Sequence, residues 1–406
     1  MQKNKSKNSR LPVLIYWLTI GTFLMGTSEF IVAGLLPEIS MDYHISTSQA
    51  GLAVTLFAIG MIIGAPLVAL LSLHISKRTT LILSLCIFAI GHMLAALTTH
   101  FDIMLISRVI SAIATGGFWG AAAVVATQAA GASSSARAMG LVIGGGMLAN
   151  VLGVPLGSFI GQLSGWRLSF WALAIIPIFL AFVIFKAIPK PKEVQKESNL
   201  AQEFKGLLSA RLWLVLAACV TINAGVLSVY SFISPLLIEH THLSNQYIPL
   251  ALGLFGMASL IGTIYGGRLG DKHPYSLPIV TAALSMLACF GLLLFSTLPI
   301  PTLILFTVLG AVGLTANPLL TSQAVKYAGQ SPTLSSSMVI SLLNVGTALG
   351  TWLSTLMMNT TLGIMAPVYI GVLFSMMTVC PVFILAIVEK YRPRGTIPYS
   401  HTNDIV

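Results

Sequence analysis

Charged residues are scarce in this sequence of 406 residues. They account for 8% of it, whereas about 25% is typical of soluble domains. Hydrophobic residues account for 56%, so the composition excludes an ordinary soluble domain and indicates an integral membrane protein. Acidic residues are fewer than basic ones, and the formal net charge is +10. Because the basic residues are dispersed among short loops rather than clustered, we expect no nucleic-acid partner.

Cysteine is also rare, and the motifs of several enzyme classes are missing. The four cysteines show no paired spacing, so we expect small core residues with neither a disulfide nor a metal site. The sequence has no His-Glu-x-x-His, Gly-x-Ser-x-Gly or Gly-x-x-x-x-Gly-Lys-Ser/Thr motif, which argues against a zinc enzyme, a serine hydrolase and direct nucleotide-powered pumping. We predict that the protein is not an enzyme and needs no cofactor.

Long apolar stretches dominate the sequence instead. An α-helix needs about 20 apolar residues to cross a hydrocarbon layer of about 30 Å, and the alternating pattern of barrel strands is absent. We therefore predict an all-α integral membrane protein with twelve transmembrane helices. The predicted spans are 14–36, 51–72, 81–97, 103–125, 139–160, 168–188, 212–238, 250–269, 277–296, 302–322, 335–357 and 364–388.

The basic residues give these spans a direction. Nineteen of the 21 Lys and Arg residues lie in the two tails, in every second gap between spans, or at the span ends that border those gaps. Lys77, Arg137, Arg268 and Lys326 represent this basic side, whereas the gaps on the other side hold only Arg167. By the positive-inside rule the basic side is cytoplasmic. We expect a multi-pass protein of the cell membrane with both termini in the cytoplasm.

The longest polar interruption divides the spans into six and six. We predict an N-terminal bundle over 1–188, a cytoplasmic linker over 189–211 and a C-terminal bundle over 212–406. Apolar residues in the linker keep a helical period, so two interpretations stay open: an amphipathic helix on the membrane surface, or a solvated linker.

The two halves also resemble each other in sequence. Short matches recur at offsets of 194 to 201 residues, with Asn150 opposite Asn344 and Glu29 opposite Tyr230. A parallel repeat of six spans is typical of transporters that rock two halves about a site at the middle of the membrane.

Two charged residues lie well inside predicted spans, away from the span ends. Glu29 is about 6 Å from the middle of the first span and Arg108 about 9 Å from the middle of the fourth, on the same side. Because charges in a membrane are costly and mark cavities or partners, two interpretations stay open. The pair forms a fixed salt bridge between helices, or Glu29 is a proton switch whose state depends on water access and on the nearby Arg108.

Polar side chains also occur near the middle of other spans. Asn150, Asn223 and Asn344 place amides there, and Tyr230 adds a hydroxyl group. Such groups either hydrogen-bond neighbouring helices or line a wet cavity. We take these four as candidate substrate-binding residues, whereas His92 is interpreted as a packing residue.

The fifth span is rich in small residues. Gly153 and Gly157 lie four residues apart on one helix face, which lets another backbone approach closely, and Pro155 between them loosens the helix. We expect this segment to form a surface on which the two halves slide or hinge.

Several motifs together resemble a known family. They are the segment Gly26 to Glu38, Gly64-Ala-Pro66 with Lys77-Arg78, Arg108 in the fourth span, and Gly153-Val-Pro155-Leu-Gly157 followed by Gly165-Trp166-Arg167. On these motifs nearly the whole chain resembles a twelve-span transporter of the major facilitator superfamily, and within it the drug:proton antiporter-1 group of chloramphenicol, sugar and purine efflux transporters. The resemblance implies two six-helix bundles around a central cavity.

The resemblance also implies roles for single residues. It places an intramembrane acid at Glu29 and, at Arg108, the fourth-helix arginine that the family links to proton coupling. The loop after the second helix has Leu73 where the family usually has an acidic residue, whereas the second half retains Arg268 and Asp271. We therefore take Arg268 and Asp271 as gating candidates.

These observations predict a secondary active transporter. It exports small organic molecules, such as drugs, sugars or nucleosides, by proton antiport with alternating access. Its partners are the substrate, protons and the lipid bilayer, and we expect a monomer. Two alternatives stay open: proton-coupled uptake by symport on the same scaffold, and a receptor that does not transport.

Overall fold

The computed structural model describes residues 11–71, 75–131, 134–188, 209–327 and 332–390. Within these ranges the chain forms helices and no β-strand, and twelve segments are long and apolar enough to cross a membrane. The predicted all-α membrane class with twelve spans is confirmed. The two tails, Leu73 and the linker from 189 to 208 lie outside the described residues.

The first six spans each contain one long helix or a pair of helices in line. They are α1 (Val13–Tyr43), α2 (Thr47–Leu71), α3 (Lys77–Leu97), α4 (Phe101–Ala130), α5 (Ser135–Leu148) followed by the π-helical turn Ala149–Gly153 and α6 (Val154–Ser164), and α7 (Trp166–Ala187). A single segment can satisfy all of its own backbone polar groups in lipid only as a helix, and the alternating pattern of barrel strands is absent from this sequence.

The last six spans follow the same plan. They are α8 (Ala210–Ser231) with the short turns Ile233–Pro235 and Leu236–His240, α9 (Ile248–Lys272), α10 (Ser276–Phe295), α11 (Pro299–Gly313) with α12 (Asn317–Tyr327), α13 (Pro332–Met358) and α14 (Ala366–Lys390). The tenth span is broken between α11 and α12 because Pro318 cannot donate a helical hydrogen bond.

The ends of the spans form two faces of the protein. Arg167 at the start of α7 forms an ion pair with Asp42 near the end of α1 and donates a hydrogen bond to the carbonyl of Thr98 after α3. These helix ends therefore lie together on what we name the opposite face. The basic face, at the other end of the spans, carries Lys77 and Arg268.

Four prolines lie within spans of the first half, one of them Pro177 inside α7. Pro37 and Pro66 lie inside α1 and α2, and Pro155 lies at the start of α6. Proline has no backbone N–H, so each leaves the carbonyl group four residues earlier without its helical donor. α1 nevertheless continues to Tyr43, beyond its predicted end at 36, and the π turn 149–153 directly precedes Pro155.

The two halves share packed apolar surface. Ala33 and Val154 of the first half lie in a buried cluster that is otherwise built from the second half, next to Leu252. Phe232 of the second half lies in the main buried cluster of the first, where its ring packs against Gly51 of α2. Residues of both halves therefore meet along this boundary, where a site between the two halves can form.

Candidate transport site between the two halves

Glu29 is a partly exposed residue in the middle of α1. Among the described residues its carboxylate has neither a hydrogen bond nor an ion pair. It interacts electrostatically with Arg108 and with Tyr230 of the second half. Glu29 is thus an acid at the boundary of the two halves whose oxygen atoms no described side chain occupies.

Arg108 is buried, and neutral groups satisfy it. Its Nη1 and Nη2 atoms donate to the hydroxyl and the carbonyl of Ser28, at 3.1 Å and 2.7 Å, and its Nε donates to the carbonyl of Ala53 at 3.4 Å. The guanidinium also lies over the ring of Phe57, 4.3 Å from its centroid, a favourable cation–π contact. Arg108 thus bonds the residue before Glu29 in the sequence, as expected for two residues predicted at similar depth.

The fixed salt bridge between Glu29 and Arg108 is wrong as a description of this state. Among the described residues, one ion pair has its nitrogen and oxygen atoms closer than 4.0 Å, and it joins Arg167 to Asp42. The physical reason is that Ser28 offers two neutral acceptors to the fork of the guanidinium, and the aromatic ring covers its face. The arginine can therefore be buried without the carboxylate, which stays available.

Tyr230 lies across the boundary from Glu29. It is 1% exposed, and its ring packs among Phe30, Phe255 and Phe306, with centroid distances of 5.7, 4.7 and 6.3 Å. Its hydroxyl group has no hydrogen-bond partner among the described residues. A buried hydroxyl that lacks a partner is costly, so this group is suited to bind a substrate or the Glu29 carboxylate.

The three candidate amides use few protein partners. Asn223 and Asn344 each donate to a carbonyl one turn earlier in their own helix, at 3.2 Å and 3.0 Å. The Oδ1 atom of Asn150 is buried and lacks a partner among the described residues. No donor among the described residues bonds the amide oxygens of these three side chains. Their binding role stays a prediction.

The glycines of the fifth span face the first helix and not the other half. A Cβ atom at Gly153 would lie 2.0 Å from Oγ1 of Thr27, and one at Gly157 would lie 2.3 Å from Ile31. Both neighbours belong to α1, so the expected sliding surface is wrong for these glycines. Small residues on this face instead let two helices of the same half pack closely.

The opposite side of the fifth span does meet the second half. Pro155 lies beside Gly253 of α9, and the backbone of Asn150 in the π turn packs against Gly256. A Cβ atom at Gly256 would lie 2.1 Å from the Asn150 carbonyl oxygen. Two backbones from different halves are therefore in direct contact where the π turn bulges.

Two proline-freed carbonyl groups of the first half accept hydrogen bonds from serines of the second. Ser234 donates to the carbonyl of Ala33, four residues before Pro37, at 2.6 Å. Ser341 donates to the carbonyl of Ile62, four residues before Pro66, at 3.1 Å. Each proline thus creates an acceptor that α1 or α2 alone cannot satisfy, and the other half satisfies it.

Polar side chains also join the halves at the opposite face. Oε1 of Glu38 at the end of the first span accepts from Asn245 at 3.1 Å, and Oε1 of Glu239 at the end of the seventh accepts from Thr47 at 3.3 Å. The two contacts correspond under the repeat: Glu38 and Glu239 are 201 residues apart, and their partners Thr47 and Asn245 are 198 apart. The Thr55 and Thr351 hydroxyls are joined at 2.8 Å nearer the middle. The opposite face is closed by these contacts.

Sequence comparison now identifies the family. A family model described as the Major Facilitator Superfamily matches residues 18–351. The chain belongs to this superfamily. It is 33% identical over 362 residues to a chloramphenicol resistance protein of Streptomyces lividans, covering 88% of this chain and 92% of that protein. It is 32% identical over 338 residues to the inner membrane transport protein YdhP of Escherichia coli, covering 82% and 85%.

Solved structures of the superfamily share the fold. A bacterial homologue of the human lysosomal transporter Spinster, inward-facing and occupied, aligns with a TM-score of 0.76 at 17% identity, covering 95% of this chain and 98% of that one. The transporter FucP in its outward conformation aligns with a TM-score of 0.64 at 18% identity, covering 92% and 98%. The predicted two six-helix bundles around a central cavity are confirmed, and the protein is a major facilitator transporter.

The two predicted gating residues of the basic face, Arg268 and Asp271, lie on one helix. Arg268 of this transporter is exposed near the end of α9. Asp271 lies within the same helix, but its side chain is outside the described part. Their gating role stays a prediction. Ser234 and Ser341 were not predicted from the sequence. Their signal is a serine in one half that packs against an intrahelical proline in the other half, and it can be recognised only when it is known which helices are in contact.

Removing the two serine hydroxyl groups tests the closure of this transporter. We expect Ser234→Ala with Ser341→Ala to weaken the closed opposite face, because each change leaves a carbonyl unpaired at a cost of about 1–3 kcal/mol. Thiol labelling of a cysteine introduced at Ser48 should then become faster. Ser322→Ala is a control that removes a hydroxyl bonded within its own helix, to the carbonyl of Leu319. Equal labelling rates in all variants would contradict the role of the serines.

Proposed function

We propose that this transporter exports small organic molecules in exchange for protons. The observation that carries the proposal is the Glu29 carboxylate, which is partly exposed at the boundary of the halves and has no partner among the described residues. An intramembrane acid is costly and is expected to have a function. An acid without an ion-pair partner is free to take up and release a proton.

The exchange follows from a difference in affinity between two states of the cavity. With the opposite face open, Glu29 takes a proton from the outer medium and substrate leaves. The halves then close at that face through the contacts of Glu38, Glu239 and the two serines. Glu29 next releases its proton towards the basic face and new substrate binds. Each ligand shifts the equilibrium only by its differential affinity for the two states.

The direction of export rests on the predicted orientation. The basic face carries Lys77, Arg137, Arg268 and Lys326, and the positive-inside rule assigns such a face to the cytoplasm. We propose that both termini are cytoplasmic and that protons enter from the opposite face. The proton gradient of a bacterial inner membrane then drives substrate outward.

The substrate class is proposed from the side chains at the boundary. Tyr230, Asn150, Asn223 and Asn344 offer hydroxyl and amide groups, and the rings around Tyr230 offer an apolar surface. Sites that combine aromatic surface with few polar groups suit uncharged organic molecules. Because one relative is named for chloramphenicol resistance, chloramphenicol is the first compound to test, beside lactose and inosine.

Proteoliposomes with an imposed pH gradient test the proposal. The purified transporter should move one of the three radiolabelled compounds against its concentration gradient when the compound and protons run in opposite directions. An ionophore that collapses the gradient should stop accumulation, and protein-free liposomes are the control. Accumulation only when compound and protons move together would indicate uptake by symport and overturn the export proposal. Absence of flux for every compound in the efflux panel would argue against transport of this substrate class.

A further inference from the structure

His92 of α3 belongs to a buried hydrogen-bond chain that ends at Arg108. Its Nε2 atom lies 2.8 Å from the hydroxyl oxygen of Ser28, and its Nδ1 atom lies 2.8 Å from the carbonyl oxygen of Phe88. The Ser28 hydroxyl in turn accepts from Nη1 of Arg108 at 3.1 Å. Ser28, His92 and Arg108 are each 1% exposed or less, so water does not compete for these bonds.

The chemistry of the donors fixes the direction of every bond in this chain. A carbonyl oxygen only accepts, so Nδ1 of His92 carries the proton and donates to Phe88. A guanidinium only donates, so the Ser28 oxygen is an acceptor towards Arg108. The Ser28 hydroxyl proton is then directed to the unprotonated Nε2 of His92. The chain runs Arg108 to Ser28 to His92 to Phe88, with a neutral imidazole.

A protonated His92 would break this arrangement. Both of its nitrogens would be donors, and the Ser28 oxygen would face two donors while its own proton lost its acceptor. A second cation would also lie beside a buried guanidinium, which is unfavourable at low dielectric. His92 therefore serves as a neutral hydrogen-bond acceptor and takes no part as a proton carrier.

We infer that His92 is a positioning residue: through the Ser28 hydroxyl it holds the Arg108 guanidinium in an orientation that keeps it from pairing with Glu29. Ser28 and Glu29 are neighbours in α1, and the guanidinium that bonds the serine also interacts electrostatically with the carboxylate. The inference rests on the proposed role of Glu29 in proton exchange. Among the described residues, Arg108 and Tyr230 are the titratable or charged groups that interact with Glu29.

Breaking the chain should change the proton affinity of Glu29. In His92→Leu the Ser28 hydroxyl loses the acceptor that fixes its proton, and in Ser28→Ala the hydroxyl that accepts from Arg108 is gone. In both variants Arg108 turns towards the carboxylate, and a closer cation stabilises the ionised form. Infrared difference spectra of the full-length transporter in lipid, recorded against pH, report the protonated carboxyl group, and the band that Glu29→Gln removes is assigned to Glu29. We expect His92→Leu and Ser28→Ala each to move the midpoint of this band to lower pH by at least about one unit.

Matched variants separate positioning from packing. His92→Gln supplies an amide oxygen that can accept from Ser28, so the wild-type midpoint should be kept. Ser111→Ala removes a hydroxyl 3.3 Å from Nδ1 of His92 that does not lie between His92 and Arg108, and it should leave the midpoint unchanged. The double variant of His92→Leu with Ser28→Ala should shift no further than either single change, because both break one chain.

The outcomes distinguish this inference from the proposed function. An unchanged midpoint in Ser28→Ala and His92→Leu, with the Glu29 band still titrating, overturns the positioning role alone. If His92→Leu does not fold, Ser28→Ala, which removes only one oxygen atom, decides the matter. A titrating band in a protein that moves no compound overturns the proposed function and leaves the positioning intact. A Glu29 band that does not titrate at all overturns both.

Discussion

Glu29→Gln is expected to remove gradient-driven export while the protein stays folded. The wild-type carboxylate makes no hydrogen bond or ion pair with the described residues, so an amide of the same shape breaks no contact. The amide cannot take up or release a proton, and the pH gradient loses the group on which it acts. Accumulation in proteoliposomes should fall at least about tenfold, within the usual range of coupling between linked equilibria.

Two controls make this result specific. Asp102→Asn neutralises an exposed carboxylate in the first turn of α4 and should leave accumulation unchanged. Exchange of labelled for unlabelled compound without a gradient should survive in Glu29→Gln, because this exchange needs no net proton movement. Gradient-driven accumulation at the wild-type level in Glu29→Gln would remove Glu29 from the mechanism.

Gly256→Ala is expected to prevent full closure of the opposite face. The new Cβ atom would lie 2.1 Å from the Asn150 carbonyl oxygen and 2.5 Å from its carbon, and both atoms are backbone. α9 and the fifth span must separate by roughly 1 Å or more to restore van der Waals contact. Such overpacking costs about 1–3 kcal/mol, and the cost falls on the closed state because the two backbones belong to different halves.

The matched control for Gly256 lies on the same helix. A Cβ atom at Gly267 would have nothing within 4 Å, so Gly267→Ala should be neutral or slightly stabilising, as alanine favours helices. Spin labels at Gln49 and Thr361, exposed positions of different halves on the opposite face, report closure as a distance. Gly256→Ala should shift the population towards longer distances by roughly 5–150-fold. Identical distance distributions in the two variants would contradict the proposed backbone contact.

The membrane class was predictable because its cause is local. An apolar stretch of about 20 residues has to cross the bilayer as a helix whatever surrounds it, and each span lies within one short piece of sequence. The similar depth of Glu29 and Arg108 was predictable for the same reason, since helical rise converts sequence position into height.

The partners of those two residues were not predictable. Opposite charges at equal depth indicate a salt bridge, but Arg108 bonds Ser28 and stacks on Phe57. The choice depends on the rotation of α1 and α4 about their axes and on acceptors that come from α2 and α3. Polar residues without charge, such as Ser28 and His92, carried little signal in the sequence, although they decide where the guanidinium points.

The glycine spacing in the fifth span likewise did not predict which helix packs against it. The spacing of Gly153 and Gly157 correctly indicated a close helix contact, yet the partner is α1 of the same half. The surface towards the second half is formed by Pro155 and the backbone of Asn150 instead. Glycine spacing specifies a face of a helix, but it carries no information on which helix lies there.

The sequence by itself determined the all-α class, the twelve spans and the basic face, because these properties depend on local hydropathy and on where basic residues lie between the spans. Only the tertiary structure decided that Glu29 has no ion-pair partner among the described residues, that Ser234 and Ser341 bind carbonyl groups freed by Pro37 and Pro66, and that the opposite face is closed. These features depend on atoms far apart in the chain, whose contacts form when helices pack at defined rotations.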